Sequence, residues 1–229
     1  ILSGNAPDDE NIEFYYSVYE DGTPKSLFIP NTENSQIEDW YWLMDGISID
    51  EKFYLFALRM DNGDNGNLAF SIDGVALIMF DINADDQIIN VEQLETPLFY
   101  EDPSGWSLVY GQAIMSMLNE SMNTNNDEQI YFYGVKSYGA NKEMTVGRVN
   151  VENLISFDQW EFWNGNDWTP DIVQSHSIGS NISQEFSVSQ IDANSYIVVF
   201  QLNTISNYTA FSRGTSAVGP FDNFNIIWS

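Results

Sequence analysis

Three polar residues, Asp45, Gln112 and Glu185, stand near the starts of three short β-rich runs and could meet at one site. Paired carboxylates cleave glycosidic bonds, because one protonates the leaving oxygen while the other activates water or attacks directly. A carboxylate separation of roughly 6.5–9.5 Å implies inversion, and one of roughly 5–5.5 Å implies retention. Gln112 cannot act as a third acid. The structural alternative is that Asp45-Gly46 forms a turn and Glu185 caps a strand.

Aromatic side chains offer ring surfaces that could stack on the CH faces of sugars. The candidates are Trp40, Trp42, Trp106, Tyr110 and Trp168. Trp40 and Trp42 should point to the same side of a strand, because side chains alternate with a period of two. The alternative is packing between sheets.

The sole histidine, His176, precedes the Glu185 run and could hydrogen-bond a substrate. Its alternative is an exposed loop position. A single histidine excludes a histidine-rich zinc site within this chain.

One loop has the spacing of a calcium site. Oxygen ligands stand at its positions 1, 3, 5 and 12, which are Asp81, Asn83, Asp85 and Glu92. Position 6 is Asp86 where a calcium loop has glycine, so an acidic hairpin turn is the alternative. Calcium is thus the one cofactor the sequence suggests, and otherwise we expect none.

The elements that position these residues are short strands. Runs rich in β-branched and aromatic residues recur at 53–58, 74–80, 129–134 and 195–200, separated by Asn, Asp, Gly and Ser. Two stretches align at an offset of 65 residues, which superposes Tyr131 on Tyr196 and Trp163 on Trp228. The recurrence marks Trp163 and Trp228 as structural.

The repeated unit has four strands, and its first strand should be the innermost. Units cover about 40–100, 105–168 and 182–229, with a partial unit in 1–30 whose outer hairpin is 12–29. Four-stranded repeats of this length predict a β-propeller forming a single domain over 1–229. A β-sandwich would explain the alternation but not the constant offset. Three units and a partial one do not close a ring, so we expect incomplete ends.

Three parts of the chain carry a family resemblance: 40–56; the set 130–134, 146–149 and 160–165; and 185–188 with 219–221. They resemble the five-bladed β-propellers of the glycoside-hydrolase-like superfamily that includes arabinanases and levansucrases. The likeness is greatest to its uncharacterised bacterial families. The resemblance implies an all-β, five-bladed propeller with four-stranded antiparallel blades.

The resemblance also implies an active site on the propeller axis, built from acids of the innermost strands. Glu185 would then be the general acid, and Asp45 the orienting or second carboxylate. Substrate contacts would come from Trp40, Trp42, Tyr110, Gln112 and His176. The implied protein is a secreted or extracytoplasmic glycoside hydrolase acting on an oligosaccharide or polysaccharide. The alternatives are a non-catalytic carbohydrate-binding module and a propeller for protein docking.

The net charge of the chain limits the classes of ligand that we expect it to bind. Seven Lys and Arg stand against 34 Asp and Glu, for a formal charge of −27. Phosphate backbones and anionic membranes repel such a surface, so we expect no nucleic-acid partner, and neutral or cationic ligands stay open. The carbohydrate ligand is what the family resemblance implies. No apolar run approaches the roughly 20 residues of a membrane helix, so no membrane insertion is expected. Oligomeric state stays open. No Cys is present, so there is no disulfide or thiolate chemistry.

Overall fold

The chain folds almost entirely into β-strands. A computed structural model describes residues 17–62, 70–118 and 128–229. Within these ranges the only helices are three single 3-10 turns, at Val151–Asn153, Phe157–Gln159 and Ile172–Gln174. The all-β prediction is therefore confirmed, since the aromatic and β-branched runs form strands that pack as half-buried or buried sheets.

The strands form three antiparallel sheets in chain order. Sheet 1 contains β1 (Trp40–Ile49), β2 (Lys52–Asp61), β3 (Ser71–Ile82) and β4 (Ile88–Glu95). Sheet 2 contains β5 (Phe99–Glu101), β6 (Trp106–Leu118), β7 (Glu128–Tyr138), β8 (Asn141–Asn150), β9 (Glu161–Trp163), β10 (Trp168–Thr169) and β11 (Gly179–Ser180). Sheet 3 contains β12 (Phe186–Asp192), β13 (Ser195–Gln201), β14 (Thr209–Gly214) and β15 (Phe224–Trp228).

Each sheet contains a four-strand meander: β1 to β4, β6 to β9, and β12 to β15. The first predicted unit, about 40–100, extends too far along the chain. The fourth strand of sheet 1 is β4, whereas β5, at the end of that predicted unit, pairs with β6 in sheet 2. Leu98 is fully buried and its carbonyl accepts a bond from Tyr110 N–H at 3.0 Å, so the chain has already crossed to sheet 2 there.

Sheet 2 lies between two hydrophobic cores, one shared with each neighbouring sheet. Its central strand β7 shows how this arises. Ile130 and Phe132 belong to the core shared with sheet 1, whereas Tyr133 and Val135 belong to the core shared with sheet 3. Side chains of a strand alternate between faces, so a continuous apolar run serves both cores. Each such residue contributes roughly 1.5–3 kcal/mol by its burial.

The first strands of the three meanders are neighbours, because β6 contacts both β1 and β12. Bulges interrupt both β1 and β6, with register shifts between Leu43 and Gly46 and between Tyr110 and Ala113. A bulge re-aims the side chains within it. Asp45 and Gln112 both fall inside these bulges, so local irregularity places them at the seam between sheets. Five-bladed closure stays a prediction.

The 65-residue offset between the second and third units is not kept in the strand pairing. Tyr131 pairs with Arg148, whereas its counterpart Tyr196 pairs with Gly214. Trp163 packs against the second core, but Trp228 is 72% exposed on the edge strand β15. The common structural role predicted for these two tryptophans is therefore wrong for Trp228.

A buried arginine fastens the segment before β1 to sheet 1. Arg59 donates to the carboxylates of Asp39 at 3.2 Å and Glu95 at 3.3 Å, and also to Asp73. The Arg59 and Asp39 side chains are almost completely buried.

Of the predicted hairpin at 12–29, residues 12–16 lie outside the described residues. Residues 17–29 contain a single Val18–Pro24 bridge.

Candidate functional site

The Asp45 carboxylate joins two sheets through backbone bonds. Its Oδ2 accepts from Ile114 N–H of β6 at 3.0 Å, and its Oδ1 accepts from Gly46 N–H at 2.9 Å. Each oxygen therefore already has a main-chain donor. Asp45-Gly46 is a bulge within β1 and not the chain-reversing turn considered above. This geometry gives Asp45 a positioning role between β1 and β6.

Gln112 is buried and belongs to a polar chain between sheets 2 and 3. In the amide orientation that satisfies both of its ends, its nitrogen donates to Val109 O at 3.0 Å. Its oxygen then accepts from Gln184 Nε2 at 3.2 Å. Gln184 in turn accepts from Lys142 Nζ at 2.9 Å. Burial lowers the pKa of Lys142, because the charged ammonium is partly removed from water.

Glu185 is exposed immediately before β12. Its side chain makes no hydrogen bond or ion pair with another residue of the described part of the chain. Asp45 contacts β6 directly, and Glu185 follows a residue that contacts β6. Asp45 bonds to Ile114, whereas Gln184, the neighbour of Glu185, bonds to Gln112. No described contact joins the two acids directly.

Three aromatic rings at the start of sheet 1 form what we call the aromatic patch: Trp40, Trp42 and Phe70. The rings of Trp40 and Trp42 stack with centroids 6.4 Å apart and planes inclined by 21°. Phe70 meets them edge-on, at 5.9 Å from Trp40 and 6.1 Å from Trp42. Trp42 and Phe70 are each 38% exposed, while Trp40 also packs against the first core. The patch is an anchored apolar surface open to solvent.

Phe70 is not among the site residues predicted from the sequence. The available signal was its position one residue before a strongly apolar strand, β3, which is paired with β2 beside β1. That signal predicts the order of the strands, but it does not predict that the Phe70 ring contacts Trp40 and Trp42.

Tyr110 is fully buried in the first core. Its ring contacts Phe132 and Phe162, and its hydroxyl donates to Ser175 Oγ at 2.7 Å. Burial also raises the pKa of Tyr110. Its assignment to substrate binding is corrected on this ground, since no ring face is open to a ligand.

The remaining candidates lie on or beside sheet 2: Trp106 on β6, Trp168 on β10, and His176 in the loop before β11. His176 is exposed. Its backbone N–H donates to the Trp163 carbonyl oxygen at 2.8 Å, and its ring lies against Gly165. The Lys136 ammonium stands 4.6 Å from the Trp106 ring. The Arg148 guanidinium stands 4.2 Å from the Trp168 ring. His176, Trp106 and Trp168 are not part of the aromatic patch.

The loop considered for calcium is a hairpin turn between β3 and β4. Asn83 Oδ1 accepts from the N–H groups of Asp85 at 3.0 Å and Gln87 at 2.9 Å. Asn90 Nδ2 donates to Asp81 at 2.8 Å. Several of the proposed ligand oxygens therefore stabilise the turn. Across 17–62, 70–118 and 128–229, no group of three or more His, Cys, Asp or Glu side chains could hold a metal ion.

Comparison with known families identifies the chain. Residues 7–229 match the model of a family described as a domain of unknown function, DUF5005. The chain belongs to the DUF5005 family. A comparison of this DUF5005 chain with curated proteins gives no match.

Among solved structures, the DUF5005 chain is similar to a "putative hydrolase" from Bacteroides ovatus ATCC 8483. The TM-score is 0.58 at 17% sequence identity, with 84% of this chain covered. The match spans 46% of the length of that protein, which is therefore much the longer. The likeness concerns the fold. Within the described residues, no helix has the length and apolarity needed to cross a bilayer.

Proposed function

We propose that this DUF5005 chain is part of a carbohydrate-active protein and binds a neutral glycan through the aromatic patch. The observation that carries the proposal is the exposure of Trp42 and Phe70 beside the stacked Trp40. Pyranose rings have apolar CH faces, and burying an exposed aromatic surface against them is favourable. The core behind Trp40 holds the patch in place before the ligand arrives.

The charge of the chain supports the choice of a neutral glycan. A formal charge of −27 repels anionic ligands, but exposed carboxylates accept hydrogen bonds from sugar hydroxyls. Glu185 is one such carboxylate. We expect the protein to be secreted or extracytoplasmic, where such glycans are available.

The test is a titration with a panel of neutral oligosaccharides, followed by calorimetry and tryptophan fluorescence. Trp42→Ala should weaken binding about 5- to 10-fold, as expected for the loss of one aromatic contact. Trp228→Ala is the matched control, because Trp228 is also an exposed tryptophan but lies on β15. Equal losses in both variants, or binding of a protein partner at the patch in place of sugar, would contradict the proposal.

A second candidate is hydrolysis of the bound glycan, with Glu185 as the acid. It is favoured by the free carboxylate at the start of β12 and by the likeness to a protein described as a putative hydrolase. Asp45 would be the second carboxylate only if it exchanged a backbone donor for the substrate. Release of reducing ends that Glu185→Gln abolishes would support hydrolysis. Binding without release would leave the chain a binding module.

A further inference from the structure

A cavity of about 400 Å³ lies at one end of strands β7, β8 and β9 of sheet 2. It stands where β7 begins and β8 ends, and no residue of the aromatic patch lines it. Its wall contains amides, carboxylates and a guanidinium, among them Asn150, Asn153, Asp158, Gln159, Glu161 and Arg148. The volume is in the range of small-molecule sites.

Glu161 is held in this cavity with one oxygen unused. Arg148 Nε and Nη2 both donate to Glu161 Oε2, at 3.0 Å and 2.9 Å. Oε1 accepts no hydrogen bond from any described residue. The Arg148 guanidinium also lies 4.2 Å from the centre of the Trp168 ring. The Glu161 side chain is 41% exposed, so its second oxygen is open to a ligand that enters the cavity.

A second polar group of the wall also lacks a partner. The Asn153 side-chain amide makes no hydrogen bond with any residue in the described ranges. Trp160 lines the same cavity, but its indole nitrogen is buried in the first core and does not face the cavity. The Asn153 amide can therefore both donate to a bound molecule and accept from it.

We propose that this cavity binds one neutral sugar ring or a similar polyol. A hydroxyl group both donates and accepts, so a polyol can bond to Glu161 and to the amides at the same time. An anion would face the carboxylates of Asp158 and Glu161. An apolar ligand would bury these polar groups unpaired, which is costly. The site shares its ligand class with the proposed function but depends on different residues.

The experiment measures binding of neutral monosaccharides (glucose, galactose, mannose, arabinose and xylose) by ligand-observed NMR and calorimetry. Glu161→Gln removes the charged acceptor and should weaken binding about 10- to 100-fold. Asn153→Ala breaks no described bond of the fold. It should weaken binding about 5-fold without lowering the melting temperature. Glu152→Gln is the control, since Glu152 is an exposed carboxylate outside the cavity wall.

The outcomes separate this site from the aromatic patch. We expect Trp42→Ala to leave monosaccharide binding in the cavity unchanged, whereas Glu161→Gln and Asn153→Ala weaken it. Binding that is insensitive to both Glu161→Gln and Asn153→Ala would overturn the proposal. So would the absence of monosaccharide binding at millimolar concentrations, or equally tight binding of a sugar acid.

Discussion

Replacement of Asp45 distinguishes a positioning carboxylate from a catalytic one. Asp45→Ala removes both acceptors and leaves the partly buried Ile114 N–H without a partner. Hydrogen bonds to charged groups contribute about 1.5–3 kcal/mol. Gly46 is exposed, so its N–H can turn to water, and the expected loss is roughly 2–3 kcal/mol. For a domain of this size, that loss lowers the melting temperature by about 4–12 °C.

Asp45→Asn should be intermediate. The amide keeps one acceptor oxygen, but its NH2 group would face the second N–H donor, so we expect roughly half of the alanine effect. Thermal unfolding by circular dichroism, with urea unfolding for the free energy, is the assay. Asp50→Asn is the control, because Asp50 is exposed at a left-handed φ of 49°, which asparagine tolerates. An unchanged melting temperature in Asp45→Ala would refute the role assigned to Asp45.

Two further predictions concern sheet 1. Arg59→Met leaves the buried Asp39 carboxylate unpaired and should cost about 3–5 kcal/mol in urea unfolding. Adding Asp39→Asn should recover part of that loss, and no recovery would contradict the pairing. Burial, assisted by the nearby Glu95 carboxylate, raises the pKa of Tyr41 to about 12. The folded state therefore keeps the Tyr41 proton at a pH where the unfolded state has released it. As a result, the free energy of unfolding should fall as pH rises from about 10 through 12. Tyr41→Phe should show a shallower decline over that range, and identical slopes would count against a half-buried phenol with a raised pKa.

The strands were predictable because their patterns are local. The apolar runs of β2, β3, β7 and β13 are too continuous for solvent-facing segments and too rich in β-branched and aromatic residues for helices. The sheet that receives a strand is a long-range property. Phe99 and Tyr100 fit the end of sheet 1 as well as the edge of sheet 2, and the buried Leu98 decides between them.

The candidate site was predictable only in part. The period of two places Trp40 and Trp42 on one side of β1, and the structure stacks their rings. The same rule could not show that Tyr110 lies in a core, because alternation does not say which face of a strand another sheet covers. Nor could it show that Glu161 stands opposite Arg148 across β8 and β9, since that pairing depends on register.

The most direct test of the account is hydrogen exchange of the chain with and without a bound neutral oligosaccharide. Binding at the aromatic patch predicts slower exchange of the backbone amides in 40–43 and 70–72, and loss of that protection in Trp42→Ala. Protection confined to sheet 3, or no change in either segment at saturating sugar, would contradict a carbohydrate site at the start of β1.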